Sequence, residues 1–466
     1  MVEVLSIDTP SLGDRSYLAH DGDTALVIDP QRDIDRITSL AARLGVRITH
    51  VAETHMHNDY VTGGLALAQA SGANYLTNAA DPVRFDRTPV RDGDALEIGD
   101  TMRLRVLATP GHTFTHLSYI LESDGAAASV FTGGSLLYGS TGRPDLLGPQ
   151  HTVALARAQY ASAHRLAREL PDSAAIFPTH GFGSFCAATQ AQARSSTIGR
   201  EKQFNPALTV SEQIYVDTLL AGLDAWPTYY VHMGPANTAG PDGADLSLPD
   251  RADAAQIRRR IQAGEWVVDL RDRVAFAAGF VPGSFSLPLN GSFATYLGWV
   301  IPWGTPLTLL GETPEQVSEA QRELVRIGID RPAAAATGRP RDWAGDQPLG
   351  TLRLVKFGDL AAASEAAAAR PAAGGPSDRL VVLDVRRRLE WDEGHIAGAT
   401  HIPFSELPGR LGEVPAGEVW VHCHSGYRAM VASSMLAARG RDAISINDEF
   451  SHAETAGLVI ARPATR

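Results

Sequence analysis

Between Glu53 and Gly64 the sequence runs ETHMHNDYVTGG. His55 and His57 stand one residue apart and Asp59 two further on, so a tight loop turns two imidazoles and a carboxylate to the same side. Imidazole nitrogens and carboxylate oxygens are the donors that zinc and non-haem iron(II) take. Further candidates recur downstream, His112 in TPGHT and His180 in PTHG. Tyr60 follows Asp59, where a site of this type usually wants one more imidazole. A different chemistry is written near the other end, where VHCHSGYRAM places Cys423 ahead of Arg428. An apolar run leads into the cysteine and an Ala/Met/Leu-patterned stretch leaves it, so the thiol lies at a strand-to-helix turn. Helix N-terminal amides and the arginine favour an anion there, stabilising a thiolate or a persulfide. Gly426 lets the backbone bend so that successive amides point inward. Cys186, shortly after His180, reads either as a small buried hydrophobe or as a thiol that holds sulfur beside the metal candidates.

The elements that must position these residues are legible as β-rich runs. VRITHVAET precedes His55, LRVLATPG precedes His112, ASVFTG precedes Gly134 and AAIFPT precedes His180. The candidates therefore gather at the loop edge of a sheet layer. SYLAHDGDTALVIDP and ALEIGDTMRLRVLATPGHT each read as a hairpin, around Asp21-Gly22 and Gly99-Asp100. LSYILESDG reads as a strand closing on Asp124-Gly125. Residues 205–230 read helical and are placed to fold back over that edge. Met233 to Asp250, rich in Gly, Pro, Ala and Asp, reads as a linker, as does Arg331 to Gly350. The Ala-rich stretch from Asp359 reads as a surface helix ended by Pro371 and Gly374-Gly375. WVVDLRDRVAFAAGFVPGSFSLPL and VVLDVRRRLEWDEGHIAGATHIPF share a β-run, Asp, a basic residue, an aromatic, Gly and Pro at matching intervals, as duplicated domains would. The earlier copy has LTLLGETPEQ where the cysteine loop belongs, with Glu312 near the cysteine position, so it cannot carry sulfur covalently.

A chain of 466 residues suggests roughly three domains. Its 41 basic against 53 acidic residues give a net charge of -12, and only short basic runs such as RDRV and RRRL occur. That argues against a nucleic-acid partner. No apolar run approaches the ~18 residues of a membrane span, and the N-terminus lacks the basic-then-apolar pattern of a secretory signal. Two cysteines are too few for a disulfide framework, which points to the reducing cytoplasm.

LDVR, GHIAGATHIP and CHSGYR resemble, in order and spacing, the signatures of the rhodaneses, the sulfurtransferases. The resemblance implies that Cys423 carries sulfur as the nucleophile, that the loop amides around Gly426 hold the persulfide, and that Arg428 binds the anionic donor. A phosphatase relative has one more residue between Cys and Arg, so the count here favours sulfur. THMHND, TPGHT, FTGG and PTHG, in that order, resemble the metallo-β-lactamase superfamily. The fusion to rhodanese-like domains, GRPDL at Arg143 and HGFGSFC ending in Cys186 look most like its persulfide dioxygenase branch. That branch implies one non-haem iron(II) that oxidises a thiol persulfide to sulfite with O2. Its ligands map to His55, His112 and the position of Gly134, which has no side chain. What remains is a three-histidine set, His55, His57 and His112, with Asp59 and His180 close by, for iron(II) or alternatively zinc(II). Arg143 and Cys186 fall on the substrate side.

The fold expected is a multidomain α/β chain: an N-terminal αββα metallo-β-lactamase-like sandwich over 1–232, followed by two α/β rhodanese-like domains with parallel sheets. The first, over 251–335, lacks the catalytic Cys, and the second, over 351–466, carries Cys423. The function expected is rhodanese-type sulfur transfer coupled to metal-dependent persulfide oxidation. Thiosulfate, small persulfides and thiols such as glutathione are the expected partners, and a homo-oligomer is compatible with this reading. Two alternatives stand beside it: a zinc-dependent thioester hydrolase resembling glyoxalase II, and a metal-free persulfide-binding module attached to a sulfurtransferase.

Overall fold

Alternating β-branched and aromatic residues between Gly- and Asp-containing turns build the N-terminal sheets. The computed structural model describes residues 2–123, 126–189, 193–369 and 379–462. The chain divides into two units, Met1–Asp245 with Arg322–Asp330, and Leu246–Gln321 with Arg331–Arg466.

In the first unit, strands Glu3–Thr9, Asp14–His20, Thr24–Ile28, Arg47–Ala52, Asn74–Asn78 and Thr88–Val90 lie side by side in that order. A second six-stranded sheet runs Ser196–Thr197, Ala175–Pro178, Ala126–Gly133, Leu117–Ser123, Met102–Ala108 and Ala95–Ile98. The sheets pack face to face through Tyr17, Leu26 and Ile28 from one and Leu104, Tyr119 and Phe131 from the other. Helices Asp35–Leu44 and Gly64–Ser71 cover the outer face of the first sheet. Helices Pro149–Glu169 and Glu212–Ala221 cover that of the second. The layers are therefore αββα, as expected. The expected hairpins form at Asp21-Gly22 and Gly99-Asp100, whereas the turn at Asp124-Gly125 lies outside the described residues. Arg322–Asp330 belongs to this unit through Arg326, which donates to Asp33 at 2.7 Å and whose carbonyl accepts from Val61 N–H at 2.8 Å.

Two stretches expected to be linkers are structured in part, with residues 240–250 forming no helix or strand as expected. Met233 to Ala239 lies in the helix Tyr230–Ala239, with Pro235 inside it. Gly and Pro hid this helix, but its anchor is tertiary. The Asn237 side chain donates to the carbonyls of His57 and Tyr60 and accepts from Thr62 N–H, each at 2.9 Å. Three such bonds in a buried place override a weak helix propensity. Arg331 to Gly350 contains the strand Ala334–Thr337 and the helix Pro340–Ala344. A run of alanines carries no amphipathic period, yet it is small enough to be buried in the same core as Trp343.

The second unit holds two parallel sheets. One runs Phe285–Ser286, Trp266–Asp269, Leu307–Gly311 and Ala334–Thr337. The other runs Thr400–His401, Leu380–Asp384, Glu418–His422, Ala443–Ile446 and Arg353–Val355. With Arg353–Val355 left out of the count, the strands of both sheets follow the same second-first-third-fourth order along the chain. The Ala-rich helix spans Phe357–Ala368, and its expected stop at Pro371 and Gly374-Gly375 lies outside the described residues.

Candidate functional site

Loops at one edge of the first unit's sheets bring three imidazoles together. His55 follows the strand Arg47–Ala52, His112 follows Met102–Ala108 and His180 follows Ala175–Pro178. One nitrogen of each lies within 4.8 Å of the others, and all three side chains are buried. Their other nitrogens fix the tautomers. His112 Nδ1 donates to the Arg143 carbonyl at 2.8 Å, and His180 Nδ1 lies 2.8 Å from Asp14 and 3.2 Å from Asp59. His55 Nδ1 lies 2.9 Å from the Thr54 hydroxyl, which itself donates to Asp29. Each Nε2 is thereby left facing the group. The Nε2 atoms of His55 and His180 are 3.4 Å apart, and His112 Nε2 has no partner among the described residues. Lone pairs converging at this spacing repel unless a cation lies between them, so the donor set fits one metal ion.

Buried carboxylates tune this group. Burial opposes a charge on His180, but Asp59 and Asp14 outweigh it and hold that ring well above the usual imidazole range. Burial, followed by the charge of His180, pushes His112 down to about 3, and burial with His57 and the other imidazoles pushes His55 well down. A proton on His180 can bridge to His55, and a metal ion held by this group would take its place.

His57, the third member of the expected set, lies beside this group with its ring 4.2 Å from that of His55 and its Nδ1 without a partner among the described residues, but it is not one of the three whose nitrogens meet. Its Nε2 lies 3.1 Å from Glu53 and 3.3 Å from Asp29, and its ring stacks on Tyr60 at 4.2 Å. Glu53 is in turn held by the hydroxyls of Tyr75, at 3.0 Å, and Thr62. Asp59 enters through His180, and a second grouping of His57, Asp59 and His180 shares that residue.

Gly134 is crowded by the ring of His112. A Cβ at Gly134 would lie 2.6 Å from His112 Cγ, 3.0 Å from Nε2 and nearer still to Cδ2. A Cβ at Gly142 would lie 2.7 Å from Nδ1 of the same ring. Two glycines thus admit the imidazole from opposite sides, and the space a carboxylate would need is already filled. Gly134 N–H donates to His116 Nε2 at 3.0 Å, so His116 fixes this peptide instead of joining the group.

Arg143 is buried and its guanidinium is spent on Asp145, at 2.7 and 2.8 Å, and on the carbonyls of Phe185 and Asp224. What it offers the site is the carbonyl that orients His112. Cys186 is fully buried, and burial together with Asp59 pushes its thiol well up, keeping it neutral. Room for a small molecule lies instead in a pocket of about 500 Å³ lined by Met56, Asn58, Thr113, Phe114, Trp226 and Tyr230. Met56 and Asn58 bracket His57, and Thr113 follows His112.

In the second unit, strand Glu418–His422 delivers Cys423 and helix Tyr427–Ala438 begins just beyond it. Gly426 adopts φ 101°, and a Cβ there would meet Asn447 at 2.6 Å. Its N–H donates to Cys423 Sγ at 3.2 Å, the inward-pointing amide that the loop composition predicts. Arg428 donates to both Glu390 oxygens, at 2.7 and 2.8 Å. Burial opposes ionisation of Glu390, but Arg428 outweighs it and holds the carboxyl down at about 2. Arg428 therefore reaches the loop as half of an ion pair.

A parallel arrangement recurs in the other sheet of this unit. Arg386 grips Asp384 at 3.0 and 2.7 Å and the Gly394 carbonyl at 2.8 Å. Arg271 grips Asp269 at 2.9 and 2.6 Å and the Gly279 carbonyl at 2.8 Å. Leu270 N–H donates to the Leu310 carbonyl as Val385 N–H does to that of His422. This register puts Gly311 at the cysteine position and Glu312 one residue beyond. Gln316 fills the loop, accepting from Glu312 N–H at 2.7 Å and donating to the Leu270 carbonyl at 3.1 Å.

Sequence reasoning passed over Asp14, Asp29, Glu53, His116, Asn237 and Glu390. Asp29, closing the apolar run TALVI, and His116, on the same loop as His112, carried some local signal. The partnership of Glu390 with Arg428 joins residues distant in sequence and had none.

A profile described as the metallo-beta-lactamase superfamily matches residues 14–180, and one described as a rhodanese-like domain matches residues 365–451. The human mitochondrial persulfide dioxygenase ETHE1 is 28% identical over 238 residues, 50% of this chain and 81% of that protein. A hydroxyacylglutathione hydrolase of Methylococcus capsulatus is 34% identical over 200 residues, 42% of this chain and 70% of the hydrolase. The crystal structure of a metallo-beta-lactamase from Staphylococcus aureus aligns with a TM-score of 0.65 at 27% identity, covering 72% of this chain and 99% of that one. With its αββα layers, its converging imidazoles and its cysteine loop, the chain belongs to the metallo-beta-lactamase superfamily and carries a rhodanese-like domain toward its C-terminal end.

Proposed function

We propose that this chain is a fusion enzyme of sulfur metabolism that transfers sulfane sulfur through Cys423 and oxidises a small persulfide in its N-terminal unit. The observation that carries the reading is the Gly426 amide donating to Cys423 Sγ at a helix start, in a chain that also groups His55, His112 and His180. In the transfer half, the Cys423 thiolate attacks the outer sulfur of thiosulfate, forming a cysteine persulfide and releasing sulfite. A thiolate such as that of glutathione then attacks the outer sulfur, leaves as its persulfide and restores the Cys423 thiolate. The loop amides hold the negative sulfur throughout.

His55, His112 and His180 would hold one iron(II), with zinc(II) as the alternative ion. Bound there, iron would supply the redox chemistry by which dioxygen oxidises a persulfide, RSSH + O2 + H2O giving RSH, sulfite and two protons. The residues of the chain do the remaining work. The Arg143 carbonyl orients His112, while Asp14 and Asp59 orient His180. The pocket from Met56 to Tyr230 receives the organic part of the thiol. Tyr60, stacked on His57, leaves no imidazole for a second ion. The likeness to persulfide dioxygenase ETHE1 supports this half.

The sheet containing Trp266–Asp269 is read as a rhodanese-like repeat without its cysteine, supported by the shared strand order and the matching Asp-Arg pairs. In this reading the N-terminal domain spans 1–232 together with the helix that follows, and the repeats span 251–335 and 351–466. Among the described residues no helix is long and apolar enough to cross a membrane, and the two cysteines are free and buried. A reducing compartment such as the cytoplasm suits them.

Metal analysis of the purified chain, paired with oxygen uptake on glutathione persulfide, tests the oxidation half. Stoichiometric iron with oxygen uptake and sulfite release is the expected result. Zinc with thioester hydrolysis and no oxygen uptake would replace that half by a hydrolase, and a chain that takes up no metal would reduce it to a binding module. Cys423→Ser should abolish sulfur transfer and leave metal content unchanged; retained transfer refutes the assignment of the nucleophile.

A further inference from the structure

The sheet whose loop lacks a cysteine nevertheless reaches the Cys423 loop. Tyr296, on the helix Phe293–Val300, packs against Tyr427 at 5.1 Å between ring centroids and edge-on against Phe404 at 5.5 Å. The Tyr427 hydroxyl donates to the Pro288 carbonyl at 3.1 Å. Arg273 donates from Nε to Asn447 Oδ1 at 2.6 Å, and the same nitrogen lies 3.5 Å from where a Gly426 Cβ would be. Gly426 is the residue whose amide is aimed at the Cys423 sulfur.

The charges around the loop are unevenly satisfied. Arg386 is matched by Asp384 at 2.7 Å, while Arg428 and Arg387 share Glu390 at 2.7 and 3.1 Å. Arg273 is half-buried, its Nε partner is a neutral amide oxygen, and no carboxylate pairs with it among the described residues. A partly desolvated guanidinium whose terminal nitrogens have no hydrogen-bond partner among the described residues is a ready partner for an anion.

We infer that the cysteine-free block supplies the anion-recognising group of the Cys423 site. Arg273 binds the sulfonate or carboxylate end of the small sulfur donor or acceptor, and Tyr296 with Tyr427 forms the wall beside it. The inference deepens the sulfur-transfer reading and rests on it for the identity of the ligand. It also gives the cysteine-free block a direct part in the chemistry of its neighbour.

The test is alkylation of Cys423 in the full chain by iodoacetate and by iodoacetamide, reagents of similar size that differ in charge, followed through the mass of the Cys423 peptide. Arg273→Ala lowers the ratio of the iodoacetate rate to the iodoacetamide rate about tenfold, and Arg273→Lys restores most of it. In sulfur transfer from thiosulfate to cyanide, KM for thiosulfate rises by a similar factor while kcat stays within about twofold. An unchanged ratio overturns the inference. An equal fall in both rates, or a Lys variant as poor as Ala, makes Arg273 a prop for Asn447 and overturns it as well. If the ratio shifts as expected while the parent chain transfers no sulfur, the anion site stands and the sulfur-transfer reading falls.

Discussion

Gly134→Ala adds one methyl group where the His112 ring already lies, 2.6 Å from Cγ and 3.0 Å from Nε2. Carbon atoms in good contact sit about 3.5–4.0 Å apart, so the overlap is roughly 1 Å. The glycine's backbone lies outside the left-handed region, so the cost is steric and falls on the imidazole. The ring cannot yield without stretching its Nδ1 bond to the Arg143 carbonyl, now 2.8 Å. Overpacking of this kind costs about 1–3 kcal/mol and a lost buried hydrogen bond about 1 kcal/mol more. At about 2–4 °C per kcal/mol for a unit of this size, Tm falls by roughly 5–15 °C. If the three imidazoles hold a metal ion as proposed, misdirecting one of them weakens its binding by about 10–100-fold. Thermal unfolding and cobalt(II) titration followed by visible absorption measure the two effects separately. Gly134→Asp places still more atoms in the same space and is expected to bind metal no better than the alanine variant. Tighter binding by Gly134→Asp, or an unchanged Tm for Gly134→Ala, would show that the ring does not occupy the carboxylate's place.

Two further expectations concern partnerships found only in three dimensions. Glu390 ordinarily titrates near 4.5, and despite burial Arg428 holds it at about 2, so its contribution is complete above about pH 4.5 and is lost as pH falls toward 2. That contribution is at most about 3 kcal/mol; Glu390→Gln should flatten acid unfolding over this window, and a pH profile superposing on the parent's refutes the pairing. Asn237→Ala strands the carbonyls of His57 and Tyr60 and the amide of Thr62, costing about 2–4 kcal/mol. Its Tm should drop and its metal affinity weaken with it, and parent-like melting and cobalt binding would show that the helix Tyr230–Ala239 does not hold the loop.

Most of the strand framework and the cysteine loop were legible because local physics writes them. Alternating apolar residues specify a sheet face, an Asp-Gly or Gly-Asp step closes a hairpin, and Gly426 marks the bend that aims an amide at Cys423. The repeated Asp-Arg pattern, Asp269 with Arg271 and Asp384 with Arg386, was visible for the same reason, since each pair lies within one turn of chain. The helix from Tyr230 and the strand at Ala334 escaped because neither carries its own signal: one is stabilised by a single asparagine reaching across to another loop, the other by burial of small side chains.

The imidazole group divides along the same line. Which imidazoles exist, and that they follow strands ending at one edge, is a property of the chain read alone. Whether His57 or His180 completes the set with His55 and His112 is not, because the side-chain directions depend on Asp14, Asp29 and Glu53 arriving from other elements. The same holds for Gly134, which in sequence is an absent carboxylate and in the folded protein is the clearance that admits the His112 ring. Residue type and order determine the chemistry available to this protein. Steric exclusion and the pairing of buried charges, which arise only when distant segments meet, decide which of those residues converge in one group and which are held by other partners.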